Sequence, residues 1–161
     1  MTVGILGALK VRNKNLSEGE YKSIIRTFLD ARAPEAMAQL DKIRSKLPDH
    51  ALEVRIGIHP GQGEEGFFDI MVHLEGPNLY VLNKAIQEHR SLFEVRCIDG
   101  KMQPDVPIFD GSVDAGFSVN DAIVDTCMEW IEYLWRGLGG MRIPAVMFGE
   151  DDYGSTPYRQ L

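Results

Sequence analysis

The sequence FSVNDAIVDTCMEWIEYLWRGLGG, residues 117–140, predicts one long helix with two different faces. At 100° per residue its apolar side chains fill an arc of roughly 160°. Ser118 and Asp121 have the spacing of an N-terminal cap, and Gly139-Gly140 ends the pattern. Such a helix must bury its apolar side, so we expect the rest of the chain to pack against it. The apolar positions are Val119, Ile123, Val124, Cys127, Trp130, Ile131, Leu134, Trp135 and Leu138.

The opposite side of this helix is acidic. Its four carboxylates fall within an arc of roughly 80°, and like charges at i and i+4 destabilise a helix by about 0.2–0.5 kcal/mol per pair. Arg136 offsets part of this repulsion, since it lies four residues after the last carboxylate. A stripe that weakens its own helix is a candidate contact surface. We call these four residues the acidic stripe: Asp121, Asp125, Glu129 and Glu132.

Two helical patterns precede the first strands. Ser17 and Glu20 form a capping box, and apolar residues then repeat at helical spacing as far as Ala31. Pro34 cannot continue that helix but suits the first turn of another, which leads up to Pro48. The pattern therefore predicts a helical hairpin or one kinked helix.

After Pro48 the apolar period changes from 3.6 to 2. Alternating residues at 52–58 and 68–74 predict two strands of an antiparallel hairpin with one buried face. The PGQGEEG sequence between them lacks the GxxxxGK[ST] pattern and carries two glutamates, which would repel phosphate. It predicts a hairpin loop.

The second half of the chain alternates helices and strands. A helix is predicted from Leu79 to roughly Ser91, a strand at 93–97, and a final strand at 142–148, whereas residues 99–116 show no period. The resulting order is α-α-β-β-α-β-α-β. It predicts a single α+β domain with an antiparallel or mixed sheet of about four strands and helices on one face. The predicted domain spans residues 17–161, and residues 1–16 are expected to form a loose arm or short strand.

Charge is unevenly distributed along the chain. Residues 1–98 carry 13 acids and 13 bases, so the whole net charge of −7 lies in residues 99–161. That surface would repel a phosphate backbone and steer a basic partner toward it. We therefore expect no nucleic-acid binding and a protein partner that is basic.

The location of the protein is predicted from what its sequence lacks. No apolar run reaches the ~18–20 residues of a membrane span, and the basic residues near the start follow the apolar piece, the reverse of a secretory signal. We expect a cytoplasmic protein without membrane contact. Cys97 and Cys127 are then predicted to be buried, reduced thiols.

Histidines are the usual metal ligands and general bases. If residues 60–66 form the hairpin loop, His59 lies near Phe67 and His73 lies six residues further along, roughly 20 Å away at ~3.3 Å per residue. The two histidines are then too far apart to share a metal. The same register places Glu53 opposite His73 on a charged, solvated face.

Carboxylates offer one alternative, a small metal-dependent hydrolase. Residues 150–152 follow a strand, and carboxylates from the 99–116 loop would join them if that loop folds over. No recognised catalytic or cofactor motif is present, so no cofactor is expected. The metal ligands in this alternative are Asp105, Asp110, Asp114 and Asp152.

The preferred interpretation is a binding protein, not an enzyme, that engages a basic protein partner through its acidic C-terminal third. In size and acidity the chain is similar to the immunity proteins that neutralise bacterial toxins, in which carboxylates stand in for nucleic-acid phosphates. Tyrosines among the carboxylates would act as interface anchors. The predicted contact residues are Asp121, Asp125, Glu129, Glu132, Tyr133, Glu150, Asp151, Asp152 and Tyr153. A third interpretation is an accessory domain or homodimer subunit in which Trp130 or Trp135 forms the self-interface.

Overall fold

A computed structural model describes residues 16–161. The predicted arm therefore lies outside the described residues, except for Leu16, which packs on the core. Over these residues the fold is α+β, as predicted, with three α-helices and a mixed five-stranded sheet. The helices are α1 (Glu18–Lys46), α2 (Leu79–Ala85) and α3 (Val119–Leu138). The strands are β1 (Glu53–Pro60), β2 (Phe68–Glu75), β3 (Ser91–Glu94), β4 (Arg96–Ile98), β5 (Lys101–Gln103), β6 (Ala145–Gly149) and β7 (Tyr158–Gln160).

The main sheet has the strand order β3-β2-β1-β6-β7. Strands β1 and β6 are parallel, and the other neighbours are antiparallel. The sheet has five strands instead of about four because a further strand, β7, follows the predicted final strand at 142–148. The predicted strand at 93–97 is divided between β3 and β4, and β4 pairs with β5 in a separate two-stranded sheet.

One hydrophobic core joins α1 and α3 to one face of the main sheet. From the sheet come Val54, Ile56 and Ile58, all fully buried. From α3 comes Trp130, also fully buried, whose ring meets Phe93 edge-on at 6.5 Å between centroids. Burying an aromatic side chain of this size stabilises a fold by a few kcal/mol. Among residues 16–161 no helix is long and apolar enough to cross a membrane.

The first two predicted helices are one helix. Ser17 and Glu20 form the predicted capping box, with both hydrogen bonds present, but α1 then continues through Pro34 to Lys46. Proline costs a helix one backbone hydrogen bond. That cost is offset because buried residues lie on both sides of Pro34 and pack the whole helix on the core: Tyr21, Ile25 and Leu29 before it, and Ala36, Leu40 and Ile43 after it.

The N-terminus of α3 is held by the hairpin loop. Ser118 accepts a hydrogen bond from the Asp121 amide, and the Glu64 carboxylate accepts bonds from the Ser118 hydroxyl at 2.9 Å and the Val119 amide at 2.7 Å. A carboxylate at this position also interacts favourably with the helix dipole. The glycine-rich loop thus caps α3, and the prediction that it is a hairpin loop is confirmed.

The 99–116 segment was expected to lack structure of its own, and part of it is structured. Residues 101–103 form β5, and Val106, Ile108 and Phe109 are at least 95% buried. Phe109 also donates its amide to the carbonyl of Glu65 at 2.8 Å. An apolar sequence without a period can still bury side chains as an irregular segment laid against a core.

The hairpin register differs from the predicted one. Pro60 pairs with Phe68, and Arg55, not Glu53, lies opposite His73. The loop occupies residues 61–67, as shown by the bond from the Gly61 amide to the Phe67 carbonyl. Each residue of β1 pairs with a residue of β2 that lies two positions later than predicted. Because side chains alternate between the faces with a period of two, every residue stays on its predicted face.

Candidate functional site

One face of the main sheet points away from α1 and α3. Along β2 every second residue is buried and the residues between them are partly exposed, which identifies the outer side. We call this surface the open sheet face. It comprises Glu53, Arg55, Gly57 and His59 of β1, Asp69, Met71, His73 and Glu75 of β2, Glu94 of β3, Val146 and Phe148 of β6, and Tyr158 and Gln160 of β7.

Gly57 creates a hollow in the middle of this face. A Cβ atom at this position would lie 2.7 Å from His59 Nε2 and 2.8 Å from the ring of Phe148. Glycine weakens a strand, so its presence in mid-strand marks a site where another group approaches closely. Here that group is the ring of His59, which folds back across its own strand toward His73.

The two histidines are in contact. Their Nε2 atoms are 3.5 Å apart, and their ring centroids are 5.7 Å apart and nearly perpendicular. The prediction that they lie roughly 20 Å apart is therefore wrong. The two-residue register shift brings His73 closer along the strand, and the missing side chain of Gly57 lets the His59 ring cover the remaining distance.

The histidine pair belongs to a chain of four side chains. Arg90 Nη2 lies 2.7 Å from His73 Nδ1, and His59 Nδ1 lies 2.9 Å from Glu150 Oε2. Arginine can only donate and a carboxylate can only accept, so the two ends fix the direction of the whole chain. Arg90 donates to His73 Nδ1, which leaves the His73 proton on Nε2, and His59 donates from Nδ1 to Glu150. His73 is neutral in this arrangement.

This arrangement is unsuited to a metal ion. A ligating imidazole needs a free lone pair facing the metal, and Arg90 leaves the proton of His73 on the nitrogen that faces His59. Among residues 16–161 no group of three or more His, Cys, Asp or Glu side chains could hold a metal ion. The His59–His73–Arg90–Glu150 chain is therefore a hydrogen-bond relay, which we call the histidine chain.

Electrostatics favour the neutral form of His73. Burial, the Arg90 guanidinium and His59 together lower the pKa of His73 to about 4, with burial the largest cause. A histidine whose pKa is lower in the folded state than in the unfolded state resists protonation only while the protein is folded. Acid therefore favours unfolding.

We expect the free energy of unfolding to fall as pH is lowered from about 6.5 to about 4. In that window the unfolded chain takes up a proton on His73 that the folded protein does not. The free energy of unfolding should fall by on the order of 1–2 kcal/mol. This is less than a direct conversion of the His73 pKa shift into free energy, because the ring is only half-buried. Urea unfolding across this range measures it, and His73→Gln should flatten the slope. A His89→Gln variant is the control and should keep it.

Asp69 is the least satisfied group on the face. Its Oδ1 atom is buried and has no hydrogen-bond partner among residues 16–161. Burial raises the pKa of Asp69, and the carboxylates of Glu94 and Glu150 raise it further, whereas His59 lowers it. Asp69 lies directly opposite His59 in the β1–β2 ladder. A carboxylate in this position is stabilised when a cation or a hydrogen-bond donor binds it.

The 150–152 turn lies beside the histidine chain. β1 and β6 are parallel, and His59 and Glu150 lie at their carboxyl ends, which in mixed and parallel sheets is a common place for ligands. Asp151 and Asp152 both have positive φ, 54° and 59°. Backbone strain of this kind costs of order 1–3 kcal/mol per residue and clusters at functional sites. All three acidic side chains of the turn are exposed.

The acidic stripe is largely used inside the molecule. Asp121 accepts a bond from the Gly154 amide at 2.7 Å. Asp125 accepts bonds from the amide and hydroxyl of Ser155 at 2.8 and 2.7 Å, and it lies 4.0 Å from Lys22 Nζ. The stripe thereby fastens the segment that leads into β7. We call these contacts the C-terminal clamp.

The other predicted contact residues divide between interior and surface. Glu132 pairs with Arg159 of β7, and Tyr153 packs on the core. Glu129 and Tyr133 are exposed, and Arg26 lies over the Tyr133 ring. Asp121 and Asp125 lie beside the segment that follows the 150–152 turn, because they bind Gly154 and Ser155, whereas Tyr133 lies further along α3 next to Arg26 of α1.

The carboxylates of the hydrolase alternative are not gathered in one place. Asp110 accepts bonds from the amide and hydroxyl of Ser112, and Asp114 accepts one from the Gly116 amide, so both stabilise local turns. A groove of about 570 Å³ lies between α1 and the β3–β5 segment, and neither Asp105 nor Asp152 lines it.

The cysteines and tryptophans also have defined places. Cys97 and Cys127 are free thiols, but only Cys127 is buried, because Cys97 lies in the small β4–β5 sheet at the surface. Burial raises the pKa of the Cys127 thiol. Trp130 is buried in the core, so the predicted self-interface through Trp130 is wrong, and Trp135 is partly buried.

Comparison with known proteins identifies a family. A model of the DUF6389 family, described as a family of unknown function, covers residues 16–158. The chain belongs to the DUF6389 family. No curated protein and no solved structure matches it. The DUF6389 match includes β1, β2, β6 and the 150–152 turn, so the histidine chain lies inside the region that the family model describes.

Within this DUF6389 chain, sequence reasoning missed His59, His73, Arg90 and Asp69 as one site. Their only local signal is Gly57, a glycine in a strand with otherwise strong alternation. The contact with Glu150 joins residues 91 positions apart. It depends on the parallel pairing of β1 with β6, which no local pattern reveals.

Proposed function

We propose that this protein is a non-enzymatic binding protein that receives a cationic side chain of a basic protein partner on its open sheet face, beside the 150–152 turn. One observation carries the proposal: the Oδ1 atom of Asp69 is buried and has no hydrogen-bond partner within the described part of the chain. A lysine or arginine from a partner would complete this carboxylate with a charge-assisted hydrogen bond.

The charge around Asp69 supports a cationic ligand. Glu94 and Glu150 are close enough to raise the pKa of Asp69. Repulsion among these carboxylates is relieved when a positive group enters. The exposed side chains of Asp151 and Asp152 lie next to Glu150 and extend the negative surface. Such a surface accelerates association with a basic protein at low salt.

Aromatic side chains near the carboxylates would supply apolar contact. Phe148 is partly exposed next to His59, with 6.1 Å between ring centroids, and Tyr158 on β7 is 53% exposed. Interfaces obtain most of their binding energy from a few aromatic and arginine anchors set among polar groups. The open sheet face offers both aromatic side chains and polar groups.

The C-terminal clamp argues against the acidic stripe as the main contact surface. Asp121 and Asp125 already accept three hydrogen bonds from residues 154–155. A partner would have to break these bonds before it could use the carboxylates. The proposed surface is therefore the open sheet face and not the outer side of α3, although both are acidic.

The proposed partner class follows from charge and size. A small acidic protein that offers carboxylates to a basic surface resembles an immunity protein, and we propose a basic, toxin-like enzyme as the partner. Carboxylates would then occupy positions that nucleic-acid phosphates take in the enzyme's own substrate. A cytoplasmic location is part of the same proposal.

Two exposed tyrosines provide a matched test. A photo-crosslinking amino acid replaces Tyr158 on the open sheet face in one variant and Tyr133 on α3 in the other, and crosslinked proteins from the native cell are identified by mass spectrometry. We expect a basic protein captured through position 158 and not through position 133. Its recombinant form should then bind in a salt-dependent manner. Capture through position 133 alone, or affinity that is independent of salt, contradicts the proposal.

A further inference from the structure

We propose that this protein forms a symmetric dimer in which a second copy of the chain covers an exposed apolar patch beside α2. The patch consists of Leu52, Leu79, Tyr80 and Val81, which are 65%, 51%, 73% and 55% exposed. We call these four residues the α2 patch. The dimer does not depend on the proposed function, because it leaves Asp69 and the 150–152 turn of each copy accessible.

Exposed apolar side chains are concentrated at this patch. Among residues 16–161 eight large apolar side chains are exposed, and half of them belong to the α2 patch. The other four are dispersed over β4, the 99–116 segment, α3 and β7: Ile98, Val113, Tyr133 and Tyr158. Single exposed apolar residues are normal on a protein surface, whereas a contiguous group of them marks an interaction surface.

Close packing at Gly76 brings Leu52 beside α2. A Cβ atom at Gly76 would lie 2.7 Å from the His50 carbonyl oxygen, 3.0 Å from Leu82 and 3.4 Å from the Leu52 amide nitrogen. The Leu52 amide also donates to the Glu75 carbonyl at 2.8 Å. The segment before β1 and the start of α2 therefore meet at one end of the sheet, where their exposed side chains adjoin.

Asn83 fastens α2 to the end of β2. Its side-chain oxygen accepts a bond from the Leu74 amide at 2.9 Å, and its side-chain nitrogen donates to the Leu74 carbonyl at 3.1 Å. Leu82 and Ile86 anchor the same segment in the core. The exposed first turn of α2 is thus held on a fixed backbone. A preorganised surface of this kind loses little conformational entropy when it binds.

Acidic side chains are concentrated at the opposite end of the sheet. Strand β1 begins beside the α2 patch and ends at the hairpin loop, and β6 runs parallel to it, so the 150–152 turn lies at the loop end. The N-terminus of α3 lies there too, because Glu64 of the loop caps it. Asp121 and Asp125 of α3 bind residues 154–155 at this same end.

The α2 end lacks this excess of negative charge. The α2 patch lies within the segments 44–55 and 75–90, whose acids and bases nearly cancel. The bases are Arg44, Lys46, Arg55, Lys84 and Arg90, and the acids are Asp49, Glu53, Glu75 and Glu88. Arg142 adds a further base here, since it donates to the Pro48 carbonyl.

This charge distribution favours a second copy as the occupant. A strongly basic protein is attracted to the acidic end and not to the α2 end. Two chains that each carry a net charge of −7 repel each other, and the repulsion is weakest when their acidic ends point apart. A two-fold contact through the α2 patch gives this arrangement, and it pairs one apolar surface with itself, as in most soluble dimers.

The small patch predicts a weak dimer. Interfaces that bury less than about 1,200 Å² belong to transient complexes, so we expect a dissociation constant on the order of 10–100 μM. In sedimentation equilibrium the full chain should have a mass near 18.1 kDa at ~2 μM and approach twice that mass at ~500 μM.

Salt separates this dimer from the proposed function. Apolar contact between surfaces of nearly balanced charge should persist at high salt, whereas binding of a basic partner to the open sheet face should weaken. Self-association that disappears at high salt would show an electrostatic contact and contradict the proposal. The sedimentation result stands whether or not a basic partner exists.

Tyr80→Ser and Tyr133→Ser form a matched pair of variants. Each tyrosine is exposed and has a cation over its ring, Lys84 at 5.5 Å from the Tyr80 centroid and Arg26 at 5.8 Å from the Tyr133 centroid. Only Tyr80 belongs to the α2 patch. Tyr80→Ser should weaken self-association by at least about tenfold, and Tyr133→Ser by no more than about twofold. Equal effects of the two variants contradict the proposal.

Amide NMR spectra recorded from ~20 to ~500 μM locate the contact. Shifts that depend on concentration should be confined to Leu52, the adjoining turn and residues 79–84, and should be absent from residues 150–152. A protein that stays monomeric at ~500 μM overturns the proposal. So does a response of residues 79–81 to vesicles of anionic phospholipid without any response to protein concentration, because the occupant would then be a membrane surface.

Discussion

Replacing Asp121 and Asp125 together by alanine is expected to lower the free energy of unfolding by about 2–4 kcal/mol. The double variant removes three hydrogen bonds to Gly154 and Ser155. Together they contribute about 3–5 kcal/mol, because the bond to Asp121 is partly buried and the two bonds to Asp125 are exposed. Alanine favours the helix and relieves repulsion along the stripe, which offsets about 1 kcal/mol of the loss. Urea unfolding measures the total.

The matched control for the clamp is Glu129→Ala. Glu129 lies on the same stripe of α3 but is exposed and has no partner among the described residues, so its replacement should change stability by less than about 0.5 kcal/mol. Hydrogen exchange should show faster exchange of the Gly154 and Ser155 amides only in the double variant. Equal effects of both variants would mean that the stripe does not hold the C-terminal segment.

Asp69→Asn is expected to change stability and binding in opposite directions. The pKa of Asp69 is raised in the folded state, so the ionised carboxylate is disfavoured there at pH 7 and its removal should stabilise the fold. The gain should shrink as pH falls through the raised folded-state pKa of Asp69 and should vanish only below the unfolded value of 3.8, where both states hold the proton. Affinity for the partner should fall by about tenfold or more, because the acceptor loses its charge.

Glu75→Gln controls for the loss of any carboxylate on the same strand. Its side chain is 40% exposed and lies 4.0 Å from Arg55, and an exposed pair of this kind contributes at most about 1 kcal/mol. We expect little change in stability and at most a twofold change in affinity. If Asp69→Asn destabilises the protein at pH 7, Asp69 has a structural role and the proposed function loses its main support.

Elements with strong local patterns were predictable. The apolar arc of α3, its cap at Ser118 and its end at Gly139 are all present as predicted. The hairpin was recognised from alternation alone, because its period is a local property. At Pro34 the sequence left a helical hairpin and one kinked helix both open, and the structure has one helix. The local pattern could not decide between them, because packing on both sides of a proline can outweigh one lost hydrogen bond.

The site depends on contacts between distant residues. Pairing of β1 with β6 brings Glu150 to His59, and the exact register of β1 with β2 sets the distance from His59 to His73. A register error of two residues left every side chain on its predicted face but separated the histidines. The acidic stripe was recognised from its charge. Its hydrogen bonds to residues 154–155 could not be predicted, because they depend on the path of the C-terminal segment.

The central claim is that the open sheet face is the binding surface. The most direct test compares hydrogen exchange of the free protein with that of the protein bound to the partner that crosslinking identifies. We expect partner-dependent protection in β1, in β2 and in the 150–152 turn, with no change in residues 121–133 of α3. Protection confined to α3 would contradict the assignment of the open sheet face as the binding surface.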